Sequence, residues 1–263
     1  MTRQPATLER NAAIRIAYFH TPGIAPGVLF CTGFKSDMSG GKALALERHC
    51  QTHGRQMTRF DYQGHGRSSG DFIDGTIGKW LADTLAVLDS VTKGPQIVVG
   101  SSLGGWIGLL AAIARPERVR GFIGIAPAID MTRRLWQRAD EATKTRLRQD
   151  GVWMRPSEYD PAGYPITLRL IEEGVDHLLL PGPIPFDGPV RLLHGQRDDA
   201  VPWRLSIEIA EALRSDRVEV SLIKDGDHRL SGDADIARLL HAVETICGEL
   251  GAGEPAAGQL DEA

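Results

Sequence analysis

Three short stretches of this chain carry residue types that could do covalent chemistry. The first is Gly100-Ser101-Ser102-Leu103-Gly104, preceded by the apolar run Ile97-Val98-Val99 and followed by the helix-like Trp106 to Ile113. Gly-x-Ser-x-Gly between a strand and a helix is a sharp, strained turn that lifts the serine side chain clear of the backbone. The glycines are needed because a Cβ at either position would collide with the neighbouring strand or helix. The following helix aims the positive end of its dipole at the serine. Ser101 is the rival nucleophile, but the glycine spacing singles out Ser102.

A serine hydroxyl needs a base to take its proton and an acid to orient that base. Two further loops supply them. Asp198 lies in His194-Gly195-Gln196-Arg197-Asp198-Asp199-Ala200-Val201-Pro202, directly after a strand, and His228 lies in Lys224-Asp225-Gly226-Asp227-His228-Arg229, after the last strand. The order Ser102, Asp198, His228 is the serine, acid, histidine order of one known nucleophile-elbow fold. Asp199 is the rival acid, and the spacing His-Gly-x-x-Asp-x-x-Val-Pro favours Asp198. His194 is expected to pack or hydrogen-bond beside the acid, and His65 falls in a glycine turn. His20, His49, His53, His177 and His241 are read as structural or solvated, and Asp225 and Asp227 as shaping the turn that bears His228. The oxyanion is assigned to two backbone N–H groups, of Leu103 and of Phe34 in Thr32-Gly33-Phe34-Lys35-Ser36. A histidine base implies a rate that falls on the acid side of about pH 6.5.

These groups must be presented by a scaffold, and apolar runs alternating with helix-like stretches predict a mostly parallel twisted sheet flanked by helices. Strands are predicted at Ile14 to Phe19 (an edge), Val28 to Cys31, Gln56 to Phe60, Ile97 to Val99, Gly121 to Ile125, Val190 to Leu193 and Val218 to Ile223. Helices are predicted at Lys42 to His53, Ile77 to Val91, after Ser102, at Leu205 to Leu213 and at Ile236 to Leu250. The rhythm breaks between about 127 and 188. That stretch is read as a helical cap insert, with one charged helix from Leu135 to Arg148, over the sheet edge where open α/β folds bind ligands. Trp153, Met154 and Phe186 are candidates for its substrate pocket, and Leu178 to Leu180 could join them. One domain over 1–250 and a disordered tail over 251–263 are expected.

The 263 residues carry 30 Lys+Arg against 34 Asp+Glu, a formal net charge of -4, with no long basic run, so no nucleic-acid partner is expected. No apolar stretch reaches the roughly 18 residues of a membrane span. Cys31, Cys50 and Cys247 form no Cys-x-x-Cys pair and read as buried thiols in a reducing compartment. The acid-rich 225–235 stretch lacks calcium-loop spacing, the chain is read as having no His-x-x-x-His pair for zinc, and no metal or cofactor is expected. The glycines around His65 make no dinucleotide fingerprint.

From about Ile14 to Leu250 the chain resembles the α/β-hydrolase serine enzymes. Gly100 to Trp106, Ala114-Arg115-Pro116-Glu117, Gly151-Val152-Trp153, Arg191 to Gly195 and Asp198 to Trp203 are similar to the branch of mitochondrial palmitoyl-protein thioesterases, also known as acyl-glucuronide esterases. By position, the resemblance implies Ser102 as nucleophile, Asp198 as acid and His228 as base. It implies hydrolysis of acyl thioesters on cysteine and of acyl glucuronides, so the partner expected is a small-molecule or acylated-protein substrate. Two departures stand out. Thr32-Gly33 replaces a common His-Gly and leaves a hydroxyl beside the oxyanion site. No basic, acid-poor leader precedes the domain, so a cytoplasmic, bacterial-type relative is expected. A lyase or perhydrolase on the same scaffold, or a binding protein that keeps the triad without turnover, are the competing readings.

Overall fold

Hydrophobic alternation along the central strands explains the architecture. In the computed structural model, which describes residues 4–156 and 161–251, Val28 and Phe30 turn to one face of the sheet, and Leu29 and Cys31 to the other. Ile97 and Val99 oppose Val98 in the same way, and Ile123 and Ile125 oppose Phe122. Strands apolar on both faces must be covered on both, which is the condition for a parallel sheet sandwiched between helices.

The elements run β1 (Ala6–Glu9), β2 (Arg15–Thr21), β3 (Ile24–Cys31), α1 (Gly41–Thr52), β4 (Arg55–Phe60), α2 (Ile77–Ser90), β5 (Gln96–Ser101), α3 (Leu103–Ala114) and β6 (Val119–Ile125). There follow α4 (Met131–Arg138), α5 (Glu141–Asp150), β7 (Val152–Arg155), β8 (Tyr164–Thr167), α6 (Leu168–Glu173), β9 (Val190–Gly195), α7 (Arg204–Ala212), β10 (Val218–Ile223) and α8 (Asp233–Glu249). Eight strands form one sheet in the order β1-β2-β4-β3-β5-β6-β9-β10, antiparallel at β1/β2 and β2/β4 and parallel elsewhere. From β3 the chain goes to β4 on one side and then returns to β5 on the other. The loops after β3 and β5 therefore diverge and open a crevice at their carboxyl ends. Helices α1 and α8 cover one face, and α2, α3 and α7 cover the other. Among the described residues no helix is long and apolar enough to cross a membrane.

Three expectations are corrected. The strand predicted from Ile14 is not the edge, because β1 pairs outside it. The helix predicted from Leu135 to Arg148 is two helices, since Ala139 is extended (φ -68°, ψ 134°) and Asp140 starts α5 as its N-cap, accepting from Thr143 N at 2.7 Å. The insert is not purely helical, because β7 and β8 form an antiparallel hairpin with Trp153 opposite Ile166. The insert has its own apolar cluster of Leu135, Leu147, Ile166 and Ile171. The predicted tail lies outside the described residues apart from Gly251.

Candidate active site

Ser102 sits between β5 and α3 with φ 54° and ψ -118°, a conformation that non-glycine residues avoid. The surrounding backbone holds it there. Ser102 N donates to Ile125 O at 2.9 Å, and its carbonyl accepts from Gly105 N and Ala128 N, both at 2.9 Å. The flanking glycines are sterically required. A Cβ on Gly100 would lie 2.2 Å from Gly104 O, and one on Gly104 would lie 2.1 Å from Cys31 O.

The structure brings the three predicted side chains together from three separate loops. His228 Nε2 lies 3.1 Å from Ser102 Oγ, and His228 Nδ1 lies 2.7 Å from Asp198 Oδ2. The Asp198 side chain has no exposed surface, and its Oδ1 accepts from Ala200 N at 2.9 Å and Val201 N at 2.8 Å. Burial alone would raise the Asp198 carboxyl, but hydrogen bonds from His194 and His228 outweigh it and hold the group well below the usual carboxylate range. Asp199 lines the cavity instead and makes no described bond to His228. Asp227 shapes the turn as expected, its Oδ1 accepting from Arg229 N at 3.0 Å and Leu230 N at 2.9 Å.

Two histidines hold the site, His194 beside the acid as expected and His65 in a role its glycine turn did not specify. His194 is fully buried, and its Nε2 faces two acceptors, Asp198 Oδ2 and Val201 O, each at 3.1 Å. That nitrogen therefore carries the proton, and Nδ1 accepts from Ser206 Oγ at 2.7 Å. His65 Nδ1 faces Gln63 O at 3.3 Å, and its Nε2 accepts from Lys35 N at 3.2 Å. Burial pushes the His65 ring down to about 4, so it stays neutral and able to accept. It thereby pins the loop after β3, where Lys35 has φ 56°. The signal for His65 was its glycine turn; its partner Lys35, 30 positions away, is visible only in three dimensions.

That loop runs beside the serine: a Cβ on Gly33 would lie 3.6 Å from Ser102 Cβ. Among the described residues the N–H groups of Phe34 and Leu103 have no hydrogen-bond partner. The Phe34 ring is wedged edge-on against Phe72, Trp80 and Tyr164 at centroid distances of 4.9, 5.9 and 5.8 Å. The Thr32 hydroxyl donates to Asp37 O at 3.3 Å, which answers the departure noted in the sequence.

Ser102 and His228 open into a cavity of about 700 Å³ between the sheet edge and the insert. Its apolar wall includes Phe34, Met131, Leu135, Trp153, Tyr164 and Ile166. Lys42, Arg134, Arg138, Arg155 and Arg229 also line it, against the carboxylates of Asp37 and Asp199. Burial, reinforced by Arg229, pushes the Lys42 amine down to about 8. Of the predicted pocket residues only Trp153 lines this cavity. Strand alternation turns the adjacent Met154 outward, where it is 49% exposed. Phe186 is 2% exposed and belongs to the main core with Leu180 and Ile184, and Leu178 and Leu179 pack against that core.

The reading that the chain has no His-x-x-x-His pair needs correction. His49 and His53 are a His-x-x-x-His pair, and the structure places both beside Glu244, with one ligand atom of each residue within 4.8 Å of the others.

Comparison with known proteins agrees with this architecture. The family described as serine aminopeptidase, S33, matches residues 26–161. The human mitochondrial palmitoyl-protein thioesterase ABHD10 is 42% identical over 92% of this chain and 80% of its own length, and the mouse protein is 43% identical over 94% and 85%. The solved structure of mouse α/β-hydrolase domain-containing protein 10 superposes with a TM-score of 0.89, covering 94% of this chain and 100% of that one. A putative hydrolase from Agrobacterium vitis, 35% identical, gives 0.87 over 92% and 97%. The mitochondrial names of the mammalian relatives overturn the cytoplasmic expectation. Compartment is decided by targeting signals outside the catalytic fold, so no feature of the sheet or its loops could have carried it. Eight strands in hydrolase order, a strained serine at the head of α3 and relatives matched over nine-tenths of the chain lead to one assignment: this protein is an enzyme of the α/β-hydrolase family, on the branch that contains palmitoyl-protein thioesterase ABHD10.

Proposed function

We propose that the protein cleaves acyl thioesters and carboxylic esters through an acyl-enzyme on Ser102. The carrying observation is the continuous contact from Ser102 Oγ through His228 to Asp198, at 3.1 and 2.7 Å. Ser102 Oγ attacks the substrate carbonyl carbon while His228 Nε2 takes its proton. The carbonyl oxygen becomes an oxyanion facing the N–H groups of Phe34 and Leu103. Asp198 holds the Nδ1–H tautomer and stabilises the imidazolium. Collapse breaks the bond to sulfur or oxygen, and His228 returns the proton to the leaving group. Water, activated by the same histidine, then releases the acid and restores the serine.

The cavity and the relatives support a substrate class. Its apolar wall suits an acyl chain, and palmitoyl-protein thioesterase is the name borne by the mammalian relatives. The five cationic side chains suit a leaving group that carries a carboxylate, as an acyl glucuronide does. A series of acyl thioesters from acetyl to palmitoyl, with an acyl glucuronide beside them, tests this reading. The expected result is a specificity constant that rises with chain length and falls about a millionfold in kcat for Ser102→Ala. Fluorophosphonate labelling that persists in Ser102→Ala, or acetyl and long-chain substrates turned over equally, refutes it.

A further inference from the structure

The C-terminal half of α1 and the C-terminal half of α8 bring two imidazoles and a carboxylate together on the face of the sheet away from the insert. His49 and His53 are one helical turn apart and so share a face of α1. Their ring centroids are 4.2 Å apart, tilted by 38°. From α8, Glu244 presents Oε1 at 2.8 Å from His49 Nε2. One ligand atom of each residue lies within 4.8 Å of the other two. A tetrahedral ion with bonds of about 2.0–2.2 Å needs donor atoms about 3.4 Å apart. The hydrogen-bonded pair His49 Nε2–Glu244 Oε1, at 2.8 Å, must open by about 0.6 Å and release the imidazole proton to solvent as the ion enters, while the exposed His53 ring moves in.

The chemistry of the donors narrows the ion. His53 Nδ1 faces the backbone carbonyl of His49 at 2.8 Å. A carbonyl can only accept, so Nδ1 carries the proton and Nε2 keeps its lone pair. This is the carbonyl support that commonly orients a metal-bound imidazole. Two imidazoles and one carboxylate suit a borderline divalent transition ion and are poor for calcium or magnesium, which take oxygen ligands. Two thiols lie close in sequence, Cys50 beside His49 and Cys247 one turn beyond Glu244. Both are buried and neither belongs to the cluster.

We infer that His49, His53 and Glu244 form a zinc-class metal site that clamps α1 to α8, separate from the hydrolytic centre. The two helices are already tied at their other ends. There the Lys42 amine, at the start of α1, donates to Arg229 O, just before α8. Gly41, Lys42 and Ala43 line the substrate cavity, and His228 lies five residues before α8 begins. An ion at the far ends fixes the pair along its whole length. It stabilises the folded chain in proportion to the logarithm of metal concentration over Kd.

The test uses the full chain, stripped with EDTA and titrated with zinc chloride by calorimetry, together with thermal melts with and without about 100 µM zinc and cobalt(II) absorption spectra. Wild type is expected to bind one zinc, to melt higher in its presence and to give tetrahedral cobalt bands. His53→Ala removes an exposed ring, so fold and hydrolysis stay unchanged while zinc affinity falls at least about tenfold and the cobalt bands vanish. Glu244→Gln and His49→Ala are expected to lose the zinc-dependent rise in melting temperature. Absence of zinc binding to wild type at 100 µM overturns the inference. So does zinc binding of equal affinity in His53→Ala, or a zinc-dependent stabilisation that survives in the His49→Ala/His53→Ala double variant.

Discussion

His194 and His228 share a single oxygen atom: Asp198 Oδ2 lies 3.1 Å from His194 Nε2 and 2.7 Å from His228 Nδ1. The carboxylate thus divides its charge between a ring that faces the serine and a ring that is wholly buried. Removing the buried donor should concentrate that charge on His228 and let the Asp198 carboxyl rise. His194→Leu is therefore expected to move the acid limb of the kcat/KM profile to higher pH and to lower kcat about tenfold, an effect near 1.4 kcal/mol. Ser206→Ala, which removes only the hydroxyl behind His194, should shift the limb in the same direction by less. A pH-rate series that leaves the limb in place for both variants would show that His194 merely fills space.

His65 provides a second pH-dependent element. Its ring titrates near 4 in the folded protein against about 6.5 when unfolded, so the unfolded chain binds more protons between those values. Its contribution is complete above about pH 6.5 and is lost as pH falls towards 4, a change on the order of 3 kcal/mol. Asp83, which burial pushes up to about 7, contributes the opposite slope over an overlapping range. The comparison must therefore be between proteins. Urea denaturation of wild type and His65→Leu across pH 4 to 7 should show a shallower rise with pH in the variant. Its kcat should also drop, because Lys35 N loses its acceptor and the Phe34 N–H loses its alignment.

At Gly104 the expectation is steric. A Cβ there would sit 2.1 Å from Cys31 O, a rigid backbone atom in the central sheet. Gly104→Ala should push α3 away from β3, destabilise the fold by about 1–3 kcal/mol and abolish measurable turnover. Differential scanning calorimetry and a thioester assay check both. Wild-type turnover in Gly104→Ala would mean that the serine turn tolerates a wider opening.

Asp130 holds the two ends of the insert together. It is fully buried at φ 56°, and its carboxylate accepts from Leu179 N at 2.8 Å, Leu180 N at 3.1 Å and Arg133 at 2.9 Å. Asp130→Ala leaves those donors unpaired at a cost of about 1–3 kcal/mol. Limited proteolysis should then cut within 131–180 before the rest of the chain, and KM for long-chain substrates should rise more than kcat falls. Asp130→Asn, which tolerates the same backbone angle, should be milder.

Much of this arrangement was legible locally. Ser102, Asp198 and His228 each follow an apolar strand, and their flanking glycines, Pro202 and acids mark the turns that present them. The sheet was legible for the same reason, since runs such as Ile97-Val98-Val99 are apolar on both faces. What escaped depends on partners distant in sequence. Met154 and Phe186 are as apolar as Trp153, and only hairpin register and core packing separate them. The break at Ala139 hides within a continuous charged stretch. His49 and His53 read as surface residues until α8 brings Glu244 alongside.

The apolar cluster of Leu135, Leu147, Ile166 and Ile171 gives the insert a small interior of its own, while Leu170, Leu180 and Phe186 of the same insert belong to the main core. Ser102, Asp198 and His228 stand at the sheet edge, whereas Met131, Leu135, Trp153, Tyr164 and Ile166 of the cavity wall come from the insert. Changes confined to the insert would therefore reshape one wall of the cavity while leaving those three side chains where they are.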